Sequence, residues 1–225
     1  MQGMSLLDPR PDNPELEALR RRVLSLSKDG VTLEEFLASE APAPKPSERP
    51  ARKARPRRSP KLNSKPISRT AVHALSALGP VLPCIGKQPL ISNGVHGASQ
   101  DLGTIDSWLD RWPGCNVGLA TGSVVVIDLD GADGEQSLIE LQADVEDLPR
   151  TLEVRTGRGR HLYFTTDREI GNSVGRLGSG IDVRGRGGYV IAPPSIHPDT
   201  GEAYRFLDAD VPLAELPAWL ADLLA

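Results

Sequence analysis

The sequence predicts an α+β domain with a mostly antiparallel sheet, and three observations carry that class. Short runs of β-branched and apolar residues, such as Val124–Ile127, His161–Phe164 and Tyr189–Ala192, are bounded by glycine-rich turns, the pattern of hairpin-linked strands. Segments of helical patterning near 70–78, 100–111, 132–146 and 212–224 alternate with those strands. A chain of 225 residues has room for one sizeable domain plus extensions.

Taken in order, residues 1–40 form a short helical segment. Leu16, Leu19, Val23 and Leu26 recur at helical spacing around Arg20, Arg21 and Arg22. A second short helix is expected from Thr32, an N-cap with Glu35 three residues on, to Leu37. So small a piece needs a surface to fold against. Residues 41–68 are rich in Pro, Ala, Ser, Lys and Arg and lack aromatics and periodicity, which reads as a disordered linker. The globular domain spans 69–225, opening with a helix to Leu78 and a strand near Pro80–Ile85.

Charge is unevenly spread. From Lys45 to Arg69 ten Lys or Arg face one Glu, so that segment carries +9 in a chain of net charge −4. Residues 70–225 sum to −10, yet eight of their eleven basic residues lie between Arg150 and Arg186. Clustered arginine in an acidic domain marks the place where an anionic partner would sit.

Three constellations carry chemistry. Val124-Val-Val-Ile-Asp-Leu-Asp-Gly131 reads as a buried strand that ends at Asp128 and Asp130. Residues i and i+2 of a strand share a face, with Cα atoms roughly 6.5–7 Å apart. Two such carboxylates can converge on divalent cations, and oxygen-only ligands favour Mg²⁺ or Mn²⁺ over zinc. A strand that merely ends in a polar turn is the plainer alternative for this motif alone. The second constellation runs from Thr151 to Phe164, a hairpin whose turn, Thr156-Gly-Arg-Gly159, lets backbone N–H groups approach an anion. Arg155, Arg158 and Arg160 surround it, and His161 is in phase with Tyr163. The third places Asp182 between Ile181 and Val183, where an unpaired carboxylate would be costly to bury unless it met a cation. Ser195 and His197 follow the last core strand, and His197 is expected on a surface turn.

Together these segments resemble the primase-polymerase (Prim-Pol) branch of the archaeo-eukaryotic primase superfamily, over about residues 70–220. That family carries an acidic pair on a strand, a small-residue-x-His segment and a hydrophobic-Asp segment. Asp128 and Asp130 match the first, Gly159-Arg160-His161 the second and Ile181-Asp182 the third. Flanking matches are Lys87-Gln-Pro89, Ala98-Ser-Gln-Asp101 ahead of a helix with Trp108, Asn116–Gly122, and Pro193-Pro-Ser195. One departure is Gly159, where relatives often carry Ser.

The resemblance implies a primase catalytic core, an RRM-like sheet joined to a smaller α/β unit. It implies a DNA primase, a DNA polymerase or both, acting in DNA replication, in the family's usual setting of a phage or plasmid replicon. Asp128, Asp130 and Asp182 would hold Mg²⁺ or Mn²⁺, and His161 would contact the phosphates of an incoming nucleoside triphosphate. Arg160, Arg184, Arg186 and Lys87 are candidates to neutralise the triphosphate and the backbone of a single-stranded or primed DNA template. Two other classes stay open at this point: a catalytically retired nucleotide- or single-stranded-DNA-binding module, and a metal-dependent nuclease.

Composition bounds the rest. No apolar run approaches the ~18 residues of a membrane span and no signal peptide is visible, so a cytoplasmic protein is expected. Cys84 and Cys115 lie far apart and suggest reduced thiols, and they form no zinc-type pair with the four histidines. With no G-x-x-x-x-G-K-[ST] segment, a replicative helicase is expected to be a separate chain.

Overall fold

The computed structural model describes residues 61–225. The expected helices of residues 1–40 and most of the expected linker lie outside the described residues. Residues 61–68, which the composition assigns to the linker, are tied to the domain. Asn63 and Ile67 donate backbone N–H groups to the carbonyls of Gly114 and Pro113, both at 2.7 Å.

Two sheets organise the domain. The smaller is antiparallel throughout and has the order β2-β1-β3-β9, with β1 Val81–Ile85, β2 Gln88–Pro89, β3 Asn116–Ala120 and β9 Tyr189–Ala192. The larger has the order β10-β5-β6-β4-β8-β7. Its strands are β4 Val124–Leu129, β5 Glu153–Arg155, β6 Arg160–Thr165, β7 Ser173–Val174, β8 Ile181–Arg184 and β10 Arg205–Phe206. These pairs are antiparallel; β11 (Ala214–Glu215) runs parallel to β6. The predicted α+β class with antiparallel sheets is what the chain forms.

Among the described residues four α-helices cover the sheets: α1 Arg69–Ser76, α2 Leu102–Arg111, α3 Gly131–Asp144 and α4 Ala218–Leu224. Local chemistry sets their starts. The Ser68 hydroxyl accepts from the Ala71 N–H ahead of α1, and Asp101 accepts from the Thr104 N–H at 2.8 Å ahead of α2. The last helix is shorter than the expected 212–224. Ala214 and Glu215 pair with β6, and the helix begins only after Pro217, whose missing N–H suits a helix start.

Alternation along β4 divides the core. Val124 and Val126 face the smaller sheet and join a cluster with Val72 and Leu75 of α1 and Ile105 and Leu109 of α2. Val125, Ile127 and Leu129 face the other way, against Leu138 of α3 and Leu220 and Leu224 of α4. Burying each such side chain stabilises the fold by about 1.5–3 kcal/mol, so slipping β4 by one residue would cost both faces at once. Cys84 and Cys115 are buried free thiols, and burial pushes Cys84 up to about 12 and Cys115 up to about 11. Among the described residues no helix is long and apolar enough to cross a membrane.

Candidate active site

The register of the larger sheet builds one row of functional side chains. Asp128 on β4 stands directly across from His161 on β6 and from Asp182 on β8. Directly opposed residues share a face. All three therefore lie on the face toward the smaller sheet, the face of Val126 and Tyr163. His161 Nε2 is 3.3 Å from Asp128 Oδ1, and Arg184 donates to Asp182 Oδ2 at 2.8 Å. His161 is 5 % exposed, so the imidazole is part of the core as well as of the site. Its Nδ1 is 3.4 Å from the buried Tyr163 hydroxyl.

Burial alone would push the Asp128 carboxyl up. The hydrogen bond with His161, and the charges of His161, Arg184 and Lys87, outweigh it and hold the group below the usual carboxylate range. The phenols of Tyr163 and Tyr204 shift strongly upward, first through burial and then through Asp128.

Asp130 is set by a corner of close-packed glycines. It occupies the N-cap of α3, yet its carboxylate makes no capping hydrogen bond. An Asp at this position ordinarily turns to the helix N–H groups. Its backbone N–H donates to Gly180 O at 2.8 Å, and its carbonyl accepts from Gly134 N at 3.2 Å. A Cβ on Gly134 would lie 2.5 Å from Gly180 O, and one on Gly159 only 1.8 Å from Leu129 O. A Ser, which the resembled family often carries there, therefore has no room at 159. Glycine is what lets the β5–β6 turn pass directly beside the end of β4. That turn is closed by Thr156, whose hydroxyl accepts from the Gly159 N–H at 3.0 Å.

A cleft of about 400 Å³ opens over Asp128 and His161, and neither Asp130 nor Asp182 lines it. Asp128, His161 and Arg184 line it from the larger sheet, and Lys87, Tyr189 and Val190 from the smaller, with Tyr204, Asn172, Gly187 and Gly188 completing the wall. Tyr189 donates its hydroxyl to Lys87 O at 2.8 Å, which holds the β1–β2 turn carrying the lysine. Tyr204 bridges two histidines, with its ring 6.0 Å from His161 and 5.8 Å from His197.

The remaining residues singled out in the sequence fall elsewhere. Arg160 does not join the cleft: it neighbours His161 on β6 and so points to the opposite face. There it forms a two-pronged contact with Glu135 at 2.8 and 2.9 Å and a third bond to Glu153 at 2.7 Å. Arg186 pairs with Glu169 at the surface, and glycines 187 and 188 form the adjacent cleft wall. Ser195 is buried, its Oγ accepting from Val117 N at 2.8 Å. His197 is not the surface residue its turn suggests. It is 3 % exposed, and its Nδ1 accepts from the N–H groups of Asp199 and Thr200 at 3.3 and 3.4 Å. Tyr204 and Asn172 were missed, because each comes from a loop with no motif of its own.

The donor set suits a hard cation: Asp128 and Asp182 are cross-strand neighbours and Asp130 has an uncommitted carboxylate, all oxygen ligands. Among the described residues no three His, Cys, Asp or Glu side chains stand close enough together to hold a metal ion. Each paired carboxylate keeps one oxygen outside its contact with a basic neighbour.

A family model described as Prim-Pol, bifunctional DNA primase/polymerase, N-terminal, matches residues 71–219. No curated protein matches the chain. The matched span contains both sheets and all three constellations.

Proposed function

We propose template-directed nucleotidyl transfer for this chain, which belongs to the Prim-Pol family of bifunctional DNA primase/polymerases. The observation that carries the proposal is the row His161–Asp128–Asp182 across three adjacent strands, with Asp130 at the tip of the middle one, where Asp128 and His161 line a cleft between Lys87 and Arg184. On this reading the two-sheet body is the primase catalytic core, with the larger sheet as its RRM-like part.

Asp128, Asp130 and Asp182 would hold Mg²⁺ or Mn²⁺, which when bound supplies charge stabilisation for both the attacking and leaving oxygens of an in-line displacement. The reaction joins a primer 3′-hydroxyl to the α-phosphate of a nucleotide and releases pyrophosphate. The chain's own contribution is positioning and charge. Lys87 on one wall and Arg184 on the other place two cations across the cleft from each other, suited to the triphosphate. His161, held between Asp128 and Tyr163, presents a fixed ring to the phosphates. Arg184 also restrains Asp182, so nucleotide binding and carboxylate placement are coupled through one guanidinium. Gly187 and Gly188 let backbone approach the ligand without a side chain between. Template DNA, nucleoside triphosphates and an unwinding helicase on a separate chain complete the proposal.

Labelled primer-template incubated with nucleotides and Mg²⁺ or Mn²⁺ tests it, with a second reaction lacking primer to read de novo initiation. Extension is expected. Binding without extension would leave a retired binding module, and shortening of the strand would leave a nuclease.

A further inference from the structure

On the far side of the larger sheet from the cleft lies a second depression of about 620 Å³, wider than the first. Its floor is apolar, from Leu216, Pro217 and Trp219 at the start of α4. Its rim is acidic: Glu146, Asp147, Asp167 and Glu215 line it, and all four are exposed. The one basic residue there, Arg168, is paired with Asp222 at 2.5 Å, so it does not offset the rim. None of the rim carboxylates forms an ion pair among the described residues. Trp219 is half-buried in that floor, and its indole nitrogen is buried beneath the surface. The depression lies by the C-terminal end of β6 (Thr166 and Asp167), whereas His161 lies near the strand's N-terminal end on the other face.

We propose that this depression docks a short basic peptide segment of another protein, one that sets an aliphatic side chain on the Trp219 floor between two Lys or Arg residues. The floor supplies an apolar anchor site. The rim supplies four carboxylates for cationic flanks. DNA is the wrong polymer for this face, since phosphates would meet carboxylates. The surface would let a partner hold the enzyme while the cleft works, because the two open on opposite faces of one sheet.

The test uses the full chain with ¹⁵N-labelled tryptophan, whose three indole N–H signals are assigned with Trp219→Phe. Acetyl-RLLR-amide, acetyl-ELLE-amide, acetyl-RSSR-amide and a single-stranded oligonucleotide are each titrated to about 1 mM, the range in which so small a contact binds. The Trp219 signal is expected to move with RLLR, hardly with RSSR and not with ELLE or the oligonucleotide. The double variant Asp147→Asn, Glu215→Gln should weaken RLLR binding about fivefold, the scale of two exposed charge contacts. Primer extension by that variant should be unchanged, which keeps the docking result separate from the fate of the catalytic reading. No movement with RLLR, equal movement with ELLE, or movement with the oligonucleotide would each overturn the proposal.

Discussion

The two faces of the larger sheet use the same residue types to opposite ends. On the helix-covered face, Arg160 is closed: all three of its guanidinium nitrogens bond carboxylates, two to Glu135 and one to Glu153. These partners raise its affinity for a proton, Glu135 most, against the cost of burial. On the cleft face, a few ångströms away through the sheet, the pairs are incomplete. Arg184 gives one nitrogen to Asp182, and Asp128 gives one oxygen to His161. A closed network rigidifies a fold; an open one keeps hydrogen-bonding capacity for a ligand. Which face a strand residue takes, one position either way, decides between those outcomes.

The widest separation between the faces should appear in the carboxylates. Asp128→Asn and Asp182→Asn keep shape and remove charge that a divalent cation requires. Extension should fall by more than about 100-fold, beyond what outer-shell partners of a metal cost. Melting temperature should hold within a few degrees, since neither group anchors the helix face. Normal extension by both variants would break the assignment of the open face to catalysis.

Gly159→Ser comes next, because it strikes the corner where both faces meet. A Cβ there would lie 1.8 Å from Leu129 O, and backbone cannot swing aside as a long side chain can. Overpacking of this kind costs about 1–3 kcal/mol or more. In a domain of this size each kcal/mol lowers the melting temperature by about 2–4 °C. Extension should fall at least about tenfold through displaced Asp130, since misplacement of even about 1 Å is costly to catalysis. A stable, active Gly159→Ser would show that the corner relaxes and that the acidic tip is not held by close packing.

Much of this is legible in the sequence. The Val124–Ile127 run with two Asp and a Gly behind it could only be a strand ending at a polar tip, and the antiparallel α+β class followed from strands of that kind between glycine turns. The outward turn of Arg160 was legible too, since a strand residue adjacent to His161 must face the other way. Charge and closeness to the motifs point Arg160 to the nucleotide, and the alternation of the strand points it away. The start of α4 could have been read from Pro217. Register was not readable: nothing in the segments themselves says that Asp182 stands opposite Asp128 rather than two residues along. The contribution of Tyr204 was also hidden, because its loop reaches the cleft only once β10 has paired with β5.

The arginines give a smaller but cleaner contrast. Arg160→Met should leave Glu135 and Glu153 facing each other without a cation, in a setting partly open to solvent. A loss of about 1–2 kcal/mol is expected, discounted for screening, with nucleotide KM unchanged. Arg184→Met should do the reverse: nucleotide KM should rise about tenfold, as for one charge-assisted contact, with little loss of melting temperature. An exchange of the two phenotypes would mean that Arg160 reaches the nucleotide after all and that the helix face is the open one.

The smallest effect belongs to His197, the closed residue on the cleft side. Burial lowers its pKa first, and Lys87 and Arg158 push the same way, against Asp199 and Asp130. Its Nδ1 already accepts two backbone N–H groups, so a proton there would break both bonds. The folded chain thus holds this ring neutral more firmly than the unfolded chain, whose histidine titrates near about 6.5. Above that pH neither state binds the proton and the stabilisation is fully present. As pH falls below it, the unfolded state takes up the proton first, and stability declines until the lowered folded pKa is passed. Melting temperature followed from about pH 7.5 to about pH 5.5 should therefore fall faster for the wild type than for His197→Gln, which carries no titrating ring. The gap between the two curves should narrow toward acid, by less than the Arg160 loss. Parallel curves would mean that the ring takes its proton equally well folded, and that its burial beside Tyr204 closes nothing.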